Sequence, residues 1–505
     1  MPSLHYNSGQ SVTQIAETDQ ITIFFDDKLT YLGSPLPPHH AFSYDAKVLE
    51  SALFLGKFGS ICALPGSAMQ LNVATIICVG VGDLGLLTVS RCLDLGGLIG
   101  KYHRNNHIYE GRIFPPHQHF SQAQQRDFTC ALSKGFWLGC YTFDALKTKK
   151  QKKSTEFTLS LYHAQISAWD NHIQSVYHDV LGQCFAKDLM HLPPNILYPS
   201  AFAEKIIELE KYGLEIEIFD ETELQKQSMH ALLAVGQGSS KPPRLAIMRW
   251  SGNKSSEKPV VLVGKGICYD SGGLNLKTAM QVDMKYDMGG AAAVVGTMKS
   301  VALNQYSHPV IGIVALAENM PDGNAYRQSD VISSRAGLSI NILNNDAEGR
   351  LALADALDYA VKECNPKAII DLATLTGAML VSLGHTYAGF FTRDDNLAHN
   401  LTQAGILGCE KLWRMPLDDQ YDKMIDSPIA DVANLGQPSV AGSITAAQFL
   451  ARFVQKDIPW AHIDIAGTAW LPSPTSTHDK GPTGFGVSLL LEYLTGLTRE
   501  SDYAK

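Results

Sequence analysis

The stretch NNDAEGRLALADAL, Asn344–Leu357, sets Asp346, Glu348 and Arg350 at every second position. In an extended backbone, side chains two apart point to one side, so two carboxylates and a guanidinium would converge on one small volume. A second cluster, VGKGICYDSGGLNLK, spaces Lys265, Asp270 and Lys277 among glycines. A third, VDMKYDMGGAAAVVG, places Asp287 before a glycine pair and a run of small residues. Taken singly, each carboxylate has a purely structural explanation. Asp270-Ser271-Gly272-Gly273 reads as a turn, Asp287 as an N-cap or first-turn helix carboxylate, and Glu348 as a favourable charge at the start of the helix after it. Taken together, the four carboxylates would repel one another unless cations sat between them. Oxygen-rich ligand sets suit Mg²⁺ and Mn²⁺, and Zn²⁺ also accepts carboxylates. Two such ions ~3.5–4 Å apart form the dinuclear hydrolytic site used by several phosphatases and aminopeptidases.

Positioning these groups requires a scaffold. From Leu245 onward, apolar strand-like runs alternate with amphipathic ones. Strands are expected at Leu245–Arg249, Val260–Val263, Val310–Leu316, Leu338–Leu343, Ala368–Leu372 and His462–Ile465, and helices at Gly290–Ala302, Arg350–Lys362 and Ile444–Val454. This alternation predicts an α/β fold with a central, largely parallel mixed sheet. Ligands in such sheets bind at the carboxyl ends of strands. Lys265, Asp346 and Thr374 each follow an expected strand. The first third mixes strand-like runs (Gln20–Phe25, Ala74–Val79, Glu156–Tyr162) with helix-like ones (Leu84–Leu98, Ser121–Leu138). The expected architecture is a smaller N-terminal α/β domain over 1–165, a connecting helix over 166–190 and a larger C-terminal α/β domain over 191–505 that holds the polar clusters. The lysine run Lys147–Lys153 reads as a solvated loop, with a nucleic-acid patch as the alternative.

With 505 residues, 45% hydrophobic and 18% charged, the composition is that of a folded globular protein rather than a disordered one. A net charge of −9 gives no general attraction to polyanions, so nucleic acid is not an expected partner. The nine cysteines contain no CxxC pair and are odd in number, which argues against a disulfide framework and for a reducing compartment. No apolar run approaches the ~18 residues of a membrane span, and the first residues carry no basic-then-apolar leader. A cytoplasmic location is expected, and the NKS and NLT sequons at Asn253 and Asn400 read as chance matches.

The signature NNDAEGRL closely resembles the NTDAEGRL motif of the leucyl aminopeptidases, a family of dinuclear metallopeptidases. VGKGICYDSGG, MKYDMGGAAAV, AENMP and ATLTGA match the family's other blocks in the same order, covering Lys258 to Thr468, with Pro193–Asn195 extending the likeness upstream. The resemblance implies that Lys265, Asp270, Asp287, Asp346 and Glu348 bind two divalent ions, Mn²⁺ or Zn²⁺, with Asp270 and Glu348 shared. It implies Lys277 and Arg350 as catalytic residues, the arginine holding a bicarbonate that serves as general base. A lysine ligand must be neutral, because an ammonium has no lone pair. Lys277, kept protonated, would instead stabilise an oxyanion. For Arg350 a plain ion pair with Asp346 or Glu348 is the alternative role. Met284, Thr374, Leu375 and Gly377 match the pocket for the first side chain, an apolar one, while Met284 reads equally as core. The implied reaction is removal of N-terminal, leucine-like residues from peptides with a free N-terminus, through a hydroxide bridging two metals, in a homohexamer.

Three departures accompany this match. Asn345 stands where the family has threonine, beside a ligand. The segment from Lys277 to Asp287 is one residue shorter than is common, and AENMPDGNAYRQSD, Ala317–Asp330, differs at positions without assigned chemistry. Two rival functions use the same sequence features: a two-metal phosphoesterase, and an aminopeptidase body with a DNA-binding or scaffolding role resting on Lys147–Lys153.

Overall fold

The computed structural model describes residues 4–7, 16, 19–33, 44–148, 156–163, 165–254, 256–436 and 440–503. The chain divides into two compact units, Met1–Val180 with Ser473–Asp479, and Leu181–Pro472 with Lys480–Lys505. Most of the lysine run, residues 149–153, lies outside the described residues. Among the described residues, no helix is long and apolar enough to cross a membrane.

The first unit is an α/β layer around a six-stranded sheet. Its strands are β1 (Leu4–Asn7), β2 (Gln20–Asp26), β3 (Ile61–Pro65), β4 (Thr75–Gly82), β5 (Glu110–Ile113) and β6 (Phe157–Leu161), in the order β1-β6-β5-β2-β4-β3. All pairs are parallel except β3 with β4. The helix Gln122–Cys140 starts where the sequence provides a capping box, the Ser121 hydroxyl accepting from Gln124 N–H while the Gln124 side chain accepts from Ser121 N–H.

The second unit is built on an eight-stranded sheet. Its strands are β7 (Glu215–Phe219), β8 (Arg244–Trp250), β9 (Val260–Asp270), β10 (Val310–Asn319), β13 (Ala368–Ala373), β14 (Ala388–Thr392), β15 (Leu412–Arg414) and β17 (Trp460–Asp464). They run in the order β15-β14-β17-β13-β9-β10-β8-β7. The centre, β17-β13-β9-β10, is parallel, and antiparallel pairs lie towards both edges. Val260 and Leu262 pack into the core containing helix Gly289–Leu303, while Val261 and Val263 pack into the core containing helix Gly349–Glu363. Covered on both faces, β9 must be apolar at consecutive positions, which is why it reads as an unbroken run rather than an alternation.

Two strand expectations need correction. The run Leu338–Leu343 does not enter the central sheet. Only Ser339–Asn341 (β12) forms a strand, pairing with β11 (Val331–Ser333) and β16 (Val432–Ala433) in a separate three-stranded sheet. Its alternation of apolar with Ser339 and Asn341 suits a sheet with one polar face, not a doubly covered parallel strand. The strand at Val260 does not stop at Val263 but continues to Asp270, so Lys265 lies within it. Its glycines serve packing: a Cβ on Gly264 would stand 2.7 Å from the Ala291 Cα.

Candidate metal centre

Lys265 and Asp270 both belong to β9 but are five positions apart, an odd spacing that puts side chains on opposite faces of a regular strand. A register shift resolves this. Ala317 pairs with Ile267, but the next residue, Glu318, pairs with Tyr269, leaving Cys268 as an extra residue on β9. Cys268 and Tyr269 consequently both pack towards helix Gly289–Leu303, and Asp270 returns to the side of Lys265. Asn319, opposite Asp270 in the register, donates from Nδ2 to Asp270 Oδ1 at 2.9 Å.

The chain then leaves the sheet in a tight loop, with Gly272 at φ +88°, where a Cβ would sit 2.3 Å from Asn275 O. This loop returns Lys277 to the site: its N–H donates to Ser271 O at 2.9 Å, and its Nζ lies 2.8 Å from Asp270 Oδ2 and 2.5 Å from Asp346 Oδ1. Asp287 precedes helix Gly289–Leu303 and does not cap it. Its Oδ1 accepts the Thr374 hydroxyl at 2.8 Å, and its Oδ2 lies 2.8 Å from Lys265 Nζ. Glu348 occupies the N-cap position of helix Gly349–Glu363 without using its side chain as a cap, and Glu348 Oε1 lies 3.0 Å from Lys265 Nζ. Asp270 does take part in its turn, accepting Gly272 N–H at 2.9 Å, so for that residue the structural role and convergence on the site coexist.

Asp270, Asp287 and Glu348 are buried, and each brings a carboxylate oxygen within 4.8 Å of the others. Burial pushes Asp287 well above the usual carboxylate range, with Asp270 and Glu348 adding to the rise and Lys265 opposing it. Burial, reinforced by Asp270 and Glu348, moves Asp346 up to about 6. Burial works against the Lys265 ammonium, but Asp287, Glu348 and Asp270 outweigh it and hold its pKa above the ordinary range. Lys277 follows the same pattern, with Asp270 and Glu348 the leading charges.

These groups fit divalent cations. Glu348 Oε2 is buried without a hydrogen-bond partner, a costly state for a carboxylate oxygen that a cation would relieve, while Asp287 Oδ2 has only the Lys265 amine beside it. Four carboxylates also exceed the two ammonium charges facing them. All-oxygen donors supplemented by one amine match Mn²⁺ or Zn²⁺ chemistry.

Arg350, in the first turn of the same helix, forms no ion pair among the described residues. Its Nη1 donates to Asn434 O at 2.8 Å, and its buried Nε has no acceptor. Burial lowers the guanidinium to about 10. The plain ion pair with Asp346 or Glu348 is therefore not formed, and a donor is left for an anion.

The remaining expected residues lie on two segments. Thr374, Leu375 and Gly377 follow β13, with Thr374 O accepting from Lys265 Nζ at 3.0 Å, and a Cβ added at Gly377 would meet open space. Met284 is buried in the core beside Met288 and Tyr286. Tyr326, Asn319, Asn434 and Asp464 were not singled out from sequence, and the first two hold Asn345, which was. Asn345 Nδ2 donates to Tyr326 O at 2.7 Å, and Asn345 O accepts from both Tyr326 OH and Asn319 Nδ2. The departure from threonine is thus absorbed into a buried network. Asn434 supports Arg350 and, through Nδ2, Asn344 O. Asp464 braces the turn after β13. Asn319 stood within the recognised AENMP block, but no local spacing marked Asn434 or Asp464.

Comparison with known proteins finds one family along the chain. The model of the "Cytosol aminopeptidase family, catalytic domain" matches residues 184–491, and that of the same family's N-terminal domain matches 42–150. A "Probable cytosol aminopeptidase" of Nitrobacter winogradskyi is 44% identical over 425 residues, 83% of this chain and 84% of its own length. One from Agrobacterium fabrum is 44% identical over 453 residues, 88% and 90% of the respective chains. Among solved structures, "Bottromycin maturation enzyme BotP in complex with Mn" superposes with a TM-score of 0.82 at 29% identity, covering 95% of this chain and 100% of that one.

Proposed function

Since the chain belongs to the cytosol aminopeptidase family, whose members are metal-dependent peptide hydrolases, we propose that it removes N-terminal, preferentially leucine-like residues from peptides at a two-metal centre. Asp270, Asp287, Asp346 and Glu348 would hold the ions together with Lys265, whose amine must give up its proton as the cations replace it among the carboxylates. The observation that carries this reading is the convergence of three buried carboxylates beside Lys265, with Glu348 Oε2 left unpartnered. Manganese in the BotP complex supports Mn²⁺ as the first ion to supply. When bound, the ions lower the pKa of water to furnish the nucleophile and anchor the free α-amine of the substrate, which restricts cleavage to the first peptide bond.

The protein's own groups supply the rest. Lys277 is kept protonated by Asp270 and Asp346 and donates to the scissile carbonyl oxygen as negative charge develops there. Arg350, held at one nitrogen by Asn434 and with its Nε free, would hold a planar anion such as bicarbonate through its remaining donors, and such an anion would supply general-base chemistry there. Met284, Thr374, Leu375 and Gly377 receive the first side chain. Family membership supports a cytoplasmic homohexamer as the working form.

Metal-stripped protein reloaded with Mn²⁺ or Zn²⁺ and assayed on leucyl-p-nitroanilide and p-nitrophenyl phosphate tests the reading. Metal-restored cleavage of the anilide alone is expected, lost in Glu348→Ala. Phosphatase activity without peptidase activity, or full turnover by that variant, would overturn it.

A further inference from the structure

Asp464 ends β17 and is fully buried. Its Oδ1 accepts the N–H groups of Leu375 and Ala466, each at 3.1 Å, and its Oδ2 accepts the Thr376 hydroxyl at 2.7 Å. Thr376 Oγ1 lies 2.7 Å from Ser443 Oγ and also caps helix Gly377–Leu383, accepting Met379 N–H at 3.1 Å. Ser443 lies in the first turn of helix Gly442–Ala451. One carboxylate therefore joins the ends of two adjacent parallel strands and, through a single hydroxyl, the starts of two helices.

Two positions earlier on β17, and hence on the same face, His462 Nδ1 lies 2.6 Å from Asp371 Oδ1, while Asp371 Oδ2 accepts Trp460 Nε1 at 2.8 Å. Asp371, His462 and Asp464 are all fully buried, and the three hydrogen bonds that Asp464 accepts fix its carboxylate in place. A buried carboxylate is costly to desolvate, and this one is spent on the turn from Leu375 to Gly377. Leu375 and Gly377 in that turn are among the residues assigned to the substrate's first side chain, and Gly377 borders open space.

We infer that Asp464 is a positioning residue that sets the shape of the pocket for the first side chain by locking Leu375 and Thr376 in place. The inference rests on the aminopeptidase reading and deepens it by naming what determines selectivity. Binding discrimination in an apolar pocket amounts to ~10–200-fold per methylene-scale difference, so a small shift of this turn is measurable as lost selectivity before the chemistry is lost.

The test is Asp464→Asn, with Thr376→Val as a second variant that removes only the hydroxyl Asp464 holds. In the full-length, Mn²⁺-loaded protein, kcat and KM are measured separately for leucyl-, methionyl- and alanyl-p-nitroanilide, together with metal content and Tm. The leucyl-to-alanyl ratio of kcat/KM is expected to fall about tenfold, carried by KM, with metal content unchanged. An unchanged ratio in either folded variant, or a loss of kcat shared equally by all substrates, overturns the inference. Should Asp464→Asn fail to fold, Thr376→Val decides alone. A wild-type protein inactive on all three substrates defeats the aminopeptidase reading and this inference with it, whereas an active wild type with unaltered selectivity in the variants defeats only the latter.

Discussion

Gly349 lies directly against Lys265: a Cβ on Gly349 would stand 2.5 Å from Lys265 Cε and 2.6 Å from Nζ. The amine cannot swing aside, because Asp287, Glu348 and Thr374 O hold it from other directions. Gly349→Ala should therefore displace the Lys265 amine by about 1 Å and lower kcat/KM on the order of 100-fold. Alanine is the better helix former at this first helical position, so Tm should not fall in proportion. Steady-state kinetics beside metal analysis checks this, and wild-type turnover with full metal content would contradict it.

Arg350→Lys keeps a positive charge but loses the planar fork. If Arg350 grips a planar anion that serves as base, kcat should drop about 100-fold while KM for the peptide stays close to wild type. Activity of the wild type in carbonate-depleted buffer should recover on adding bicarbonate, and the variant's should not. Equal response of the two proteins to bicarbonate would remove the anion from the mechanism.

Gly377→Val fills the open space beside the turn after β13. KM for leucyl substrates is expected to rise about tenfold while alanyl substrates are spared. Competition between leucyl and alanyl peptides in one reaction measures the ratio directly. A uniform loss across substrates would place Gly377 outside the pocket.

In the N-terminal unit, His103 is buried in edge-to-face contact with Phe136, and burial lowers its pKa to about 4. The unfolded chain therefore binds a proton more readily than the native one between the unfolded value of about 6.5 and 4. The stabilisation is whole above pH 6.5 and is lost as the pH falls towards 4, by on the order of 3 kcal/mol. Denaturation of this unit followed from pH 7 to pH 4 should show a flatter decline in His103→Leu than in wild type. Parallel declines would mean that other groups carry the acid sensitivity.

Much of the architecture was legible because burial leaves a local pattern. The unbroken apolar run at Val260 announced a buried strand, and the helix-like run Ser121–Leu138 coincides with the helix Gln122–Cys140 to within two residues at either end. Edge strands were less visible. β7, Glu-Ile-Glu-Ile-Phe, is half exposed, and the short β15 carries an exposed Trp413, so neither shows the signal that betrays a core strand.

The chemical groups of the site were set by the sequence alone: four carboxylates, two lysines and an arginine fall in three blocks, and like charges brought together require compensation. Their convergence was decided in three dimensions. Lys265 and Asp270 share a face only because pairing with β10 leaves Cys268 as an extra residue, and strand pairing is a property of two segments some fifty positions apart, not of either one. Arg350 is held away from its neighbouring carboxylates by the Asn434 carbonyl, and the turn after β13 is braced by Asp464. Such partners lie 84 to 89 positions away along the chain. A hydrogen bond depends on distance and direction in the folded molecule, so no spacing rule within one segment could have named them.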